Sequence, residues 1–155
     1  MSHESRPRIG VGVFVFNGKN EFLIGRRIGS KGAGTFALPG GHLEFGEAFE
    51  ECAARETMEE TGVQIWEPKF LTATNSVLEG KDKGSHYVTI FITARLQPGD
   101  EANVEVMEPE KCVAWEWITW ETMKDWAYGP ASKKRELFQP LTDLLKQRSD
   151  IVPRG

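Results

Sequence analysis

The chain is short of cysteine, histidine and tyrosine, with 2, 3 and 2 of them in 155 residues. Two thiols, Cys52 and Cys112, are too few for a disulfide framework, and neither lies in a Cys-x-x-Cys pair. Reduced thiols and a cytoplasmic location are expected. No cysteine or histidine has a partner at ligand spacing, which argues against zinc. No run of 18 apolar residues occurs, so no membrane-spanning helix is expected. The opening is polar and carries Arg6, Pro7 and Arg8 before any apolar run, unlike a secretory leader. Positive charge is also scarce. Against 23 Asp and Glu stand 19 Lys and Arg, a net charge of −4, so no stable nucleic-acid complex is expected. A phosphorylated small molecule stays open, because a cation or a local arginine can neutralise its phosphates. There is no internal repeat and no low-complexity tract.

What is present suits one domain over 1–155, with an ordered core from about 8 to 148. Apolar residues make up 39% and charged residues 27%. Residues 11–16 are nearly all apolar and β-branched or aromatic, the pattern of a strand buried on both faces. Asn17-Gly18 gives a turn, and 21–27 returns as a second strand. Residues 35–38, 70–77, 87–94 and 111–118 supply further strands. Residues 29–34 form a glycine loop without the Gly-Lys-Ser/Thr ending of a phosphate loop. Helices are expected over 47–61, over 120–128 behind Thr119 as N-cap, and from about Pro140 onward. Residues 97–110 read as a long loop and 151–155 as a frayed tail. Strands alternating with a few helices predict an α/β fold, a mixed central sheet covered on both faces.

The densest chemistry lies at 41–63. Glu56, Glu59 and Glu60 fall within five residues. At offsets of three and four they share one helix face, an arc of roughly 100°. Like charges so close repel, and a hard divalent cation is the natural remedy. A bare Glu-x-x-Glu-Glu is common on solvated helices. Here it is bracketed by Pro39-Gly40-Gly41, a tight turn, and by Gly62, a C′ cap. The opposite face, Ala54 and Met58 with Ala53 and Thr57 on its flank, is expected to pack on the sheet.

Gly41, five residues, Glu47, seven residues, then Arg55-Glu56-Thr57-Met58-Glu59-Glu60-Thr61-Gly62-Val63 resembles the Nudix box of the Nudix hydrolase superfamily. Thr57 departs from it, since the family usually has a bulky aliphatic there. The stretches 36–47, 85–89, 107–112 and 115–117 extend the likeness to the MutT-related nucleoside triphosphate pyrophosphatase branch. The resemblance implies a Nudix-type α/β/α sandwich that binds Mg²⁺, or Mn²⁺ in its place. It implies cleavage of a nucleoside diphosphate linked to another group. By position, Glu56, Glu59 and Glu60 would be metal ligands, with the Gly40 carbonyl and Glu47 in support. Arg55 would hold the acids by salt bridges, and Gly41 and Gly62 would be structural.

A diphosphate resists hydrolysis because its anionic oxygens repel the nucleophile, and cations relieve that repulsion. The general base is open between Glu60 and a loop acid, Glu108 or Glu110. At least one of Arg26 and Arg27 would reach phosphate; neighbours on a strand point to opposite faces, so at most one would do so directly. Leu43, Phe45, Asn75, His86, Thr89, Phe14, Phe16 and Trp126 are candidates for the organic pocket, and His42 for phosphate. Phe14 and Phe16 equally suit a core. The expected substrates are nucleoside triphosphates, modified or oxidised purines among them. The rivals are dihydroneopterin triphosphate, a prenyl diphosphate or a nucleotide sugar, then an idle nucleotide-binding domain. A symmetric homodimer is the expected assembly.

Overall fold

The computed structural model describes residues 6–29 and 31–155. Its centre is β1 (Arg8–Phe16), whose residues from Val13 to Phe16 are 0–2% exposed. A strand buried on both faces must find partners on both edges. β1 runs parallel to β6 (His86–Arg95), with Arg8 opposite Tyr87 and Phe16 opposite Arg95. Its other edge takes β2 (Phe22–Arg27) and β4 (Gly40–His42), both antiparallel. The short β3 (Phe36–Ala37) and β7 (Cys112–Ile118) pair with β2, and β5 (Trp66–Val77) pairs with β6. Among the described residues this is one mixed seven-stranded sheet.

Side chains alternate across a strand, and the two cores follow that period. Val11, Val13 and Val15 enter one cluster with Cys52 and Ala53 of α1 (Phe49–Thr61). Phe14 and Phe16 enter the other, with Met123 and Trp126 of α2 (Trp120–Tyr128) and Leu141, Leu144 and Leu145 of α3 (Gln139–Gln147). Each large side chain so buried contributes about 1.5–3 kcal/mol by leaving water. The α/β/α sandwich is thus present, and Phe14, Phe16 and Trp126 belong to its core.

Local expectations hold with four shifts. α1 starts at Phe49, after Ala48 as N-cap, so Glu47 stands before the helix rather than in it. The turn that holds it there has Gly46 at φ 82° and the Glu47 N–H bonded to the Glu44 carbonyl at 3.0 Å. α1 is also rolled relative to expectation. Cys52, Ala53, Thr57 and Thr61 are buried, while Met58 is 44% exposed. The ridge Cys52–Glu56–Glu60 lies beside the buried ridge, which tucks two of the acids against the sheet. β5 begins at Trp66, earlier than expected, through an irregularity between Trp66 and Lys69 where Glu67 has φ 52°. Finally, the tail is not frayed: Pro153 is buried and the Gly155 N–H donates to Asn20 Oδ1 at 3.2 Å. Gly62 ends α1 at φ 76°, its N–H on the Met58 carbonyl, as a left-handed cap requires. Thr119 caps α2 by accepting from the Thr122 N–H at 3.1 Å. Among the described residues no helix is long and apolar enough to cross a membrane.

Candidate active site

The turn Pro39-Gly40-Gly41 lies between β1 and the C-terminal half of α1. Gly40 and Gly41 pair with Gly12 and Val11 across the β1–β4 ladder. Their lack of side chains is a steric demand of two different kinds. A Cβ on Gly40 would strike the Val11 backbone carbonyl, and a Cβ on Gly41 would fall on the Glu56 carboxylate. The Gly40 N–H donates to Glu60 Oε1 at 2.9 Å. The glycine turn thus receives the two inward acids of the helix, one by contact and one by a hydrogen bond.

Arg55 organises the outer acids. Its Nε donates to Glu47 Oε2 at 2.7 Å, its Nη1 to Glu59 Oε1 at 3.1 Å and to Glu56 Oε1 at 3.3 Å, and its Nη2 to the His42 carbonyl at 3.1 Å. A guanidinium with several fixed donors suits this fan of carboxylates. The hydrogen bonds to Arg55 pull the Glu47 carboxyl down to about 2, and the same bonds hold the arginine far above its ordinary range.

Glu56 and Glu60 behave in the opposite way. Burial, then the neighbouring Glu59, pushes the Glu56 carboxyl up to about 7. Burial pushes Glu60 up to about 8 against the counter-pull of the Gly40 N–H. Arg55 reaches Glu56 at 3.3 Å, but desolvation outweighs that contact, so the two carboxylates remain an electrostatic deficit. Among the described residues no three acidic, histidine or cysteine side chains converge as a ready metal group. Arg55 draws Glu59 outward while Gly40 holds Glu60 inward. The donors nevertheless fit a hard divalent cation: all are carboxylate or carbonyl oxygens, and the cradle at Gly41 leaves the Glu56 carboxylate clear.

That deficit has a measurable sign. A carboxylate whose folded pKa is raised holds its proton more tightly in the native state, so stability is lost as pH rises through the folded value. Burial lowers His42 from 6.5, an effect of opposite sign that ends above that pH. Between pH 6.5 and 8 the Glu56 and Glu60 effect is therefore isolated. The Tm of the chelated protein is expected to fall across this window, and excess Mg²⁺ to flatten the fall. Thermal melts in chelator and in Mg²⁺ check this, and a Tm that rises over the window contradicts it.

Two hollows adjoin at the glycine turn. The first, of about 230 Å³, is lined by Glu56, Glu60 and Glu108 with Gly25, Arg27, Lys111, Cys112 and Trp115. Gly25 lets Cys112 and Trp115 close in beside it, because a Cβ there would lie 2.7 Å from Cys112 Sγ and 2.9 Å from the Trp115 ring. Glu108 is half-buried and pairs with Lys111 at 3.6 Å. Its segment is tied to the helix end by the Met107 N–H on the Glu60 carbonyl, 3.2 Å. The second hollow, of about 330 Å³, has Gly10, Gly12, Tyr87, Thr89 and Phe91 on its floor and Phe138, Pro140 and Leu141 on one wall. Arg27, Ala37, Leu38, Gly40, Gly41 and His42 line both.

Arg27 stands at this junction, its Nε on the Lys31 carbonyl at 2.8 Å and its guanidinium 4.4 Å from the Phe138 ring centroid. Burial lowers its pKa, with Glu60 the leading opposing charge. Arg26 is exposed and lines neither hollow. Thr89 and His42 line the second hollow, and His42 Nε2 lies 3.2 Å from the Tyr87 hydroxyl. Leu43 packs against the α1-side core, Phe45 is fully exposed, and the exposed Asn75 lies with its Oδ1 2.6 Å from the half-buried His86 ring; these four lie outside both hollows. Tyr87, Phe138 and Leu141 escaped the sequence reading. Gly10 and Gly12 had a usable signal. On β1 they occupy the face that continues as Phe14 and Phe16, and glycine within a strand marks a close approach.

A model of the NUDIX domain family matches residues 6–139. Nudix hydrolase 6 of Arabidopsis thaliana is 30% identical over 148 residues, spanning 91% of this chain and 48% of that protein. The ADP-ribose pyrophosphatase of Methanocaldococcus jannaschii is 37% identical over 87 residues, 54% of this chain and 51% of that one. The chain thus spans about half the length of these curated relatives. The crystal structure of a MutT protein from Methanosarcina mazei superposes with a TM-score of 0.70 at 24% identity, covering 96% of both chains.

Proposed function

The chain belongs to the Nudix family, and we propose that it hydrolyses nucleoside triphosphates to a nucleoside monophosphate and pyrophosphate. The observation that carries this reading is the junction of the two hollows. One is walled by carboxylates and the other is largely apolar, and they meet at Arg27, Gly40, Gly41 and His42. A polyphosphate in the first and a base in the second is the arrangement such a junction accommodates.

Glu56, Glu59 and Glu60 would hold Mg²⁺ or Mn²⁺, with the Gly40 carbonyl and Glu47 in support. The ion's part is to neutralise phosphate charge and to acidify water. Arg55 would hold Glu47, Glu56 and Glu59 in position through its hydrogen bonds. Arg27 offers a bidentate cation to the phosphates where they leave the first hollow. Glu108 lines the first hollow with Glu56 and Glu60, whereas exposed Glu110 does not, so Glu108 is the better placed of the two loop acids to take a proton from the attacking water. Thr89 and the Tyr87 hydroxyl offer hydrogen bonds to a ring edge, which an isoprenoid chain would leave unmet.

The test is a panel of nucleoside triphosphates, oxidised purine forms, dihydroneopterin triphosphate, nucleotide sugars including ADP-ribose, and prenyl diphosphates. Each is incubated with Mg²⁺ and the products are identified by mass. One monophosphate and one pyrophosphate per triphosphate consumed supports the proposal. Release of orthophosphate with a nucleoside diphosphate, or turnover confined to nucleotide sugars, overturns it.

A further inference from the structure

Among the described residues β5 is an edge strand with no strand neighbour beyond it. Such an edge presents unpaired main-chain groups at every second residue. Here side chains at the C-terminal end of the molecule occupy them. Gln147 accepts from the Asn75 N–H at 3.0 Å and donates to the Asn75 carbonyl at 2.7 Å. Gln139 accepts from the Glu79 N–H and donates to the Val77 carbonyl, both at 2.9 Å. Arg148 donates to the Ala73 carbonyl at 2.8 Å and to Thr72 Oγ1 at 3.0 Å. The main-chain groups engaged belong to residues 73, 75, 77 and 79, the alternate set that points away from β6. α3 thus stands in for a missing strand.

We infer that Gln139, Gln147 and Arg148 are positioning residues for the second hollow: by clamping α3 to the edge of β5 they hold the wall formed by Phe138, Pro140 and Leu141. The inference deepens the proposed function and rests on it for its catalytic consequence.

The clamp admits one register. A helix repeats every ~5.4 Å, and outward groups of a strand recur every ~6.8 Å. A slide of one repeat on either element leaves at least one amide unpaired. The surface beneath α3 does not fix the register by itself, because Thr74 Oγ1 and Ser76 Oγ are buried there without hydrogen-bond partners. The leucines of α3 hold it to the sheet, but apolar contact is non-directional. The other end of the segment has its own tie, with Phe36 N–H on the Glu136 carbonyl and Phe138 N–H on the Phe36 carbonyl, each 2.9 Å. Losing the clamp therefore lets α3 pivot about that tie instead of detaching.

The test is Gln139→Met with Gln147→Met, near-isosteric and unable to pair, with Gln147→Met alone as the milder variant. Amide hydrogen exchange is read in the full chain. In the parent, the Asn75 and Glu79 amides are expected to be protected. In the double variant they lose protection, and so does the Leu141 amide, by tenfold or more, while β1–β6 amides are unchanged. KM for the best triphosphate rises at least fivefold with kcat within twofold. Unprotected Asn75 and Glu79 in the parent overturn the clamp. An unchanged Leu141 after the clamp is lost overturns its positioning role, as does a kcat loss at constant KM. A parent inert toward the whole panel sinks the proposed function instead, and Leu141 exchange still decides the clamp.

Discussion

Glu60→Gln is expected to lower kcat by about a hundredfold to a thousandfold while raising the stability of the chelated protein. The two effects have one cause. Glu60 is half-buried on the flank of α1, accepts a hydrogen bond from the Gly40 N–H, and has its carboxyl pushed up to about 8. An ionised group so placed costs stability unless a cation is bound. The amide keeps the shape, still accepts from Gly40 through its oxygen, and removes the charge. The rate loss is the size seen when a single preorganised group that stabilises transition-state charge is removed. The stability gain at pH 8 is read as Tm, at about 2–4 °C per kcal/mol for a domain of this size. A variant that loses both activity and stability would mean that Glu60 serves the fold rather than the chemistry. Near-parent kcat in saturating Mg²⁺ would remove it from the site altogether.

Adjacent glycines should fail in different ways. Gly41→Ala places a methyl on the Glu56 carboxylate, which is the far end of a flexible side chain. Gly41 does not have positive φ, so the backbone tolerates alanine. The carboxylate must swing away, and an activity loss of about a hundredfold is expected with little change in Tm. Gly40→Ala presses a methyl into the Val11 carbonyl instead, in the β1–β4 ladder. That neighbour is main chain and cannot rotate aside, so a loss of about 1–3 kcal/mol is expected, the range for overpacking. Melting curves and steady-state kinetics on the pair decide this. Equal Tm losses in both variants would show that Gly41 is merely structural, with no bearing on Glu56.

Much of the frame was readable in the residues. The β-branched and aromatic run of β1, the acids spaced three and four apart and the left-handed glycine at 62 are local signals, and the structure places each where its physics requires. The roll of α1 was less legible. A face rich in glutamate reads as solvated, and Glu56 and Glu60 sit half-buried because the glycine turn receives them. Phe45 lies four residues from Gly41 in sequence, beside the left-handed Gly46, yet its ring faces water. Leu43, two residues from Gly41, packs instead into the α1-side core. Sequence adjacency to a site is not spatial adjacency. The wall of the second hollow comes from α3, about a hundred residues beyond Gly41, and no local period announces such a contact. Its clamp is equally silent, since Gln139 and Gln147 read as ordinary helix-surface residues until the edge of β5 lies beside them.

Every step of the proposed reaction rests on divalent ions that the glutamates of α1 would hold. The most direct measurement is a Mn²⁺ titration of the purified chain followed by electron paramagnetic resonance, with Glu56→Gln and Glu60→Gln beside the parent. The parent should remove Mn²⁺ from the free pool, more tightly as pH rises from 6.5 to 8, and each variant should weaken that uptake at least tenfold. A parent that leaves Mn²⁺ free even with nucleotide present, or variants that bind it as well as the parent does, would contradict the account.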